Sequence, residues 1–183
     1  MKQLAILFSL LSVLILSSCG GETTNDNPTE NTDETVQLKG FEELNLTEYG
    51  FNLTVMVPEA ETNGDPEVVM TERGALEILV GNDFGIEIMY GEGDLALLKM
   101  DLEEDLVFKS EIIKEEENAL IYKQDIPDSG VKTQNHFFYK AVVGNDVYEV
   151  RDVMEGEYGE GMIEKMLEAA KTIKSANSSQ TAA

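Results

Sequence analysis

Residues 75–90 read ALEILVGNDFGIEIMY: two apolar, β-rich runs on either side of Gly81-Asn82-Asp83. Runs of this kind joined by a tight Gly/Asn/Asp turn form an antiparallel hairpin. In the second run Phe84, Ile86, Ile88 and Tyr90 share one face, and a period of two turns that face towards a core. Residues 68–72 precede the hairpin through Arg73-Gly74, which extends it to a three-stranded meander.

The pattern continues in both directions. Upstream, Phe51, Leu53, Val55 and Val57 alternate with Asn52, Thr54 and Met56, as in a half-buried strand, and Pro58 closes the run. Residues 59–65 are polar and carry the turn pair Asn63-Gly64, and residues 38–46 read as an edge strand or a strap. Downstream, Gly91-Glu92-Gly93 breaks the meander. Asp94 then caps a helix with Leu95, Leu98 and Leu102 at helical spacing, ending near Glu104 because further acids oppose the helix dipole. Hairpins follow at 107–114 with 119–124 and at 136–143 with 147–153; Val143-Gly144-Asn145-Asp146 repeats the turn chemistry of Val80-Gly81-Asn82-Asp83. The last element is a helix over 161–174, striped by Ile163, Met166, Leu167, Ala170 and Ile173.

Hairpins in series, without βαβ alternation, predict an α+β domain: an antiparallel sheet of about seven or eight strands with two helices. The element order, with phrases such as residues 51–58 and 166–173, resembles the PsbP-like α/β/α sandwich family over about residues 49–174. The absence of tryptophan departs from many members. That resemblance implies binding or assembly support more than catalysis, and a fold alone does not fix function.

The N-terminus carries a different message. Lys2 precedes an apolar run over residues 4–16 that is too short for the roughly 20 residues of a membrane span and ends in Leu16-Ser17-Ser18-Cys19. These residues resemble the lipobox of bacterial lipoproteins. The resemblance implies cleavage after residue 18 and a diacylglyceryl group plus an acyl chain on Cys19, a stable membrane anchor. Cys19 is the only cysteine, so no disulfide framework exists. Gly20, in place of aspartate after the cysteine, favours the outer over the inner membrane in the sorting rule of such proteins. Residues 20–36 contain five acids, no base and little apolar surface, which predicts a disordered linker reaching on the order of 20–25 Å. The expected organisation is therefore signal peptide 1–18, lipidated cysteine and linker 19–36, one domain 37–174 and a frayed tail 175–183.

With 13 basic and 36 acidic residues the formal charge is −23. Such a field repels nucleic acid and anionic lipid head groups, leaving a solvated surface, divalent cations or a basic partner. His136 is the only histidine, and no G-x-S-x-G elbow or free thiol accompanies it, so a strand-edge histidine hydrogen-bonded locally is expected rather than a catalytic one. Zinc lacks ligands by the same count. Among the acid clusters, Glu155, Glu157 and Glu160 in a glycine-rich loop suit calcium best, though without EF-hand spacing; an ordinary solvated loop is the competing reading. Phe138 and Tyr148 would form an apolar docking patch if one sheet face were open, and Met162 with Met166 could line a greasy pocket. The reading favoured is a lipid-anchored, non-enzymatic binding or assembly-accessory domain of the bacterial envelope, with no cofactor beyond the lipid on Cys19. The alternatives are an envelope hydrolase using carboxylates, with or without calcium, and a carrier of a small lipophilic ligand.

Overall fold

A computed structural model describes residues 38–177. Cys19, the signal peptide, the linker and residues 178–183 lie outside the described residues. The domain is α+β and wholly antiparallel in its strands. Strands β1 (Phe41–Asn45), β2 (Leu53–Pro58) and β10 (Lys174–Ser175) form one sheet in the order β1-β2-β10. Strands β3 (Glu67–Met70), β4 (Leu76–Val80), β5 (Phe84–Tyr90), β6 (Lys109–Glu116), β7 (Ala119–Asp125), β8 (Gln134–Val143) and β9 (Asp146–Asp152) form a second, in the order β3-β4-β5-β9-β8-β7-β6.

The meander is β3-β4-β5, with Ile78 opposite Ile86 and Leu76 opposite Ile88. The β8–β9 hairpin joins it through β9, which pairs Val150 with Ile88. Helix α1 (Ala60–Asn63) is a single turn within the loop read as polar. Helix α2 (Leu95–Glu104) lies on one face of the seven-stranded sheet, and α3 (Glu160–Ala170) lies on the other with the small sheet. The main core lies where β2 and α3 meet the centre of the large sheet. Leu53, Ile78, Ile86, Phe137, Ile163 and Met166 are fully buried there. A second, smaller core holds Leu102 of α2 against Leu120, Tyr122 and Phe138.

The α+β class and the seven-stranded antiparallel sheet are as expected, and a second sheet of three strands is added to them. Finer expectations are corrected. All six residues of β2 are buried, where alternation predicts one wet face. The last helix stops at Ala170, not Lys174. Thr172 Oγ1 donates to the Ala169 carbonyl and accepts the Met56 N–H at 2.9 Å, which turns the chain towards β2. Residues 175 and 176, read as part of a frayed tail, are paired: Lys174 and Ser175 lie opposite Thr54 and Leu53, and the Ala176 N–H reaches the Asn52 carbonyl.

Candidate functional site

The strand pairings place α2's C-terminus, the loops after β7 and β9, and the β4–β5 turn at one end of the large sheet. The chain enters the domain at that end, since Phe41 packs edge-on against Phe84, the first residue of β5, with centroids 6.1 Å apart. It leaves at the other, beside Asn52.

Asp94 caps α2, its Oδ1 accepting the Leu97 N–H at 2.9 Å. This fixes the helix phase so that Leu95, Leu98 and Leu102 meet the sheet while Leu97 and Met100 face outward. Asp105 ends the helix in extended conformation. Its Oδ1 accepts the N–H groups of Val107 at 2.7 Å and Phe108 at 2.8 Å, a clamp of the kind short polar side chains form at turns. Those two donors, Phe108 first, hold the Asp105 carboxyl below the usual carboxylate range. The clamp presents Leu106 with its whole surface exposed (100%) and Val107 at 59%. Beside them runs an open groove of about 530 Å³, lined also by Leu102, Phe108 and Pro127.

The remaining residues singled out by sequence are placed as follows. His136 is interior, 1% exposed, with Nδ1 2.8 Å from Asp152 Oδ2; Asp152 Oδ1 accepts the Phe137 N–H at 2.9 Å. The histidine is thus not at a strand edge with a local partner: it lies in mid-sheet, on β8 between β7 and β9, and its partner is on the neighbouring strand β9. Its Nε2 is buried and has no partner. The Tyr122 ring lies 5.3 Å away, and burial reinforced by the Asp152 charge pushes the Tyr122 phenol up to about 12.

Phe138 and Tyr148 do not form a surface patch. They are 5% and 2% exposed and belong to different cores on opposite faces of the sheet: Phe138 lies under α2 with the Arg151 guanidinium 5.7 Å from its centroid, while Tyr148 lies against Phe51 and Tyr90. Each sheet face has its own helix, so neither is open there.

Glu155, Glu157 and Glu160 do not converge. Glu157 meets Lys132 at 3.1 Å and Glu160 meets Lys123 at 2.9 Å, and among the described residues no three acidic, imidazole or thiol groups gather into a metal-holding cluster. The glycines of that loop serve a neighbouring tyrosine instead. Tyr158 folds back over Gly156 and against Gly85, where a Cβ on either glycine would strike its ring or hydroxyl. Burial, then the charges of Asp152, Glu155 and Glu77, pushes its phenol up to about 12. Met166 is fully buried in the main core, and Met162 packs at its margin.

The groove beside Leu106 was not singled out by sequence. The signal present was an aspartate two and three residues ahead of the amides it binds, directly followed by apolar residues. No known protein family, curated protein or solved structure matches the chain.

Proposed function

We propose that this chain is a lipid-anchored, non-enzymatic docking domain of the bacterial envelope, and that it binds a partner protein through the corner formed by α2, the loop at 105–108 and β6. One observation carries the reading: Leu106 and Val107 are held out into solvent by a residue dedicated to holding them. An exposed leucine is common enough, but a hydrogen-bonded loop that presents two apolar side chains over a groove is arranged for contact. Covering them on association contributes about 1.5–3 kcal/mol per side chain, and a preorganised loop loses little entropy in the process. The resemblance of the element order to PsbP-like proteins supports binding over catalysis. The lipobox resemblance at Cys19, with Gly20 after it, supplies the tether and the outer-membrane placement.

A photo-reactive residue at position 106, compared with one at Lys165 on the exposed side of α3, tests this in cells carrying the native signal sequence. The expected result is a discrete protein adduct from position 106, absent from position 165 and lost when Val107→Asp is added. Adducts equal at both positions, or with lipid alone, would refute the reading.

A further inference from the structure

The described domain contains 31 acidic and 12 basic residues, so its acids outnumber the cations that could pair with them. Lys99, Lys114, Lys123, Lys132, Lys171 and Lys174 are each engaged by a glutamate. At the docking corner that excess is concentrated beside one base, Lys109, which lines the groove: Asp101, Glu103, Glu104 and Asp105 are exposed at the end of α2, and among the described residues none of them is in an ion pair. Their charges stand at the negative end of the helix dipole, where like charge is disfavoured and an incoming cation is favoured. The same corner carries Leu106 and Val107.

Resting on the docking reading above, we propose that the occupant of this groove is a cationic amphipathic segment of a partner protein: apolar side chains set against Leu106 and Val107, with flanking lysines or arginines meeting Asp101, Glu103 and Glu104. Charge complementarity selects this occupant. A second copy of the chain would bring the same four carboxylates to the same place, and an anionic lipid surface would be repelled by them. A purely basic ligand would leave the leucine and valine in water, and a purely apolar one would leave Asp101, Glu103 and Glu104 without cationic partners. Residues of both kinds at helical or alternating spacing satisfy the two demands together.

The test uses the full-length protein and a short fluorescent peptide with leucines at helical spacing and lysines elsewhere. Controls are a scrambled peptide of the same composition, a leucine–glutamate peptide, and vesicles of phosphatidylethanolamine with phosphatidylglycerol. The expected result is saturable binding of the leucine–lysine peptide, weaker binding of the scrambled one and none of the leucine–glutamate one. Leu106→Ser with Val107→Ser should lower affinity about tenfold or more, the loss of about 1.4 kcal/mol of binding free energy. Glu103→Lys with Glu104→Lys should do the same and flatten the salt dependence, while Lys165→Ala changes nothing. Equal binding of the scrambled peptide with indifference to the serine variant would mean surface charge alone and overturn the proposal. So would equal binding of the leucine–glutamate peptide, no peptide binding, vesicle binding lost in the serine variant, or self-association abolished by it. A discrete position-106 adduct whose contacted segment lacks lysine and arginine would sink this inference and leave the docking reading standing; absence of any adduct would sink both.

Discussion

Replacing Asp152 by alanine removes one side chain and orphans two buried donors. An ionised carboxylate only accepts, so the 2.8 Å contact requires the proton of His136 on Nδ1, while Oδ1 holds the Phe137 N–H at 2.9 Å. Both side chains are 1% exposed, so water does not replace either bond, and His136 Nε2 is already without a partner. Each orphaned donor costs about 1–3 kcal/mol. Asp152→Ala, which orphans two, should therefore lose about 2–6 kcal/mol, a large fraction of the 5–15 kcal/mol typical of a domain. Asp152→Asn is the informative companion. Its carbonyl oxygen can still accept the Phe137 N–H, and its amide can donate to Nδ1 once the imidazole proton moves to Nε2, so about 1–2 kcal/mol is expected. The assay is urea unfolding at neutral pH, followed by far-ultraviolet circular dichroism because the chain has no tryptophan. At an m-value of roughly 2 kcal/mol/M the alanine variant shifts the midpoint by about 2 M with m unchanged. An alanine variant costing under about 1 kcal/mol, or an asparagine variant costing as much as alanine, would refute the assignment of Asp152 as the shared acceptor.

Gly85→Ala places a methyl group against the Tyr158 hydroxyl and the Leu79 side chain, and overpacking of this kind should cost about 1–3 kcal/mol in the same unfolding assay. Asp105→Ala should abolish hydrogen-exchange protection of the Val107 and Phe108 amides while leaving global unfolding nearly unchanged, whereas Asp105→Asn retains the accepting oxygen and the protection; an unaltered exchange profile in the alanine variant would refute the clamp. Lys114 and Lys171, through hydrogen bonds and charge, hold the Glu116 carboxyl below its usual range. Its folded pKa is depressed, so its contribution is complete above the ordinary carboxylate pKa and is lost as the pH falls through the lowered value; Glu116→Gln should flatten the acid limb of the stability–pH curve by well under about 1 kcal/mol, since the pair is partly solvated.

Those elements whose order is local were legible in the sequence. The hairpins at Gly81 and Gly144 follow from turn chemistry, and the start of α2 follows from Asp94, whose side chain makes the bond its position predicts. What escaped was set at long range. The β2 strand shows an alternating pattern, yet Thr54 is buried with its hydroxyl unpaired, because elements distant in sequence, α3 among them, pack against the strand. The pair Lys174 and Ser175 has no strand character of its own and becomes β10 only by lying along Leu53 and Thr54. Gly156 has no signature separating a glycine that wraps an ion from one that makes room for Tyr158, two residues on. At the docking corner, Glu103-Glu104-Asp105 reads as a solvated acid run; that Asp105 bends back to hold the next loop while its neighbours stay unpaired is a property of the turn, not of composition.

The placement of these features separates stability from contact. His136, Asp152 and Phe137 tie β8 to β9 where the large sheet is covered on both faces, whereas Leu106 and Val107 lie in the loop between α2 and the edge strand β6, without burial of their own. Removing the exposed side chains withdraws nothing from either core, so Leu106→Ser should leave unfolding within about 0.5 kcal/mol of the wild type. Substitutions at the corner and at Asp152 share no partner and should therefore be additive in stability. The same independence makes the docking surface testable by substitution without loss of the fold. A Leu106→Ser variant that weakened binding and unfolding together would mean that the loop is part of the core after all, and the separation argued from its exposure would fail.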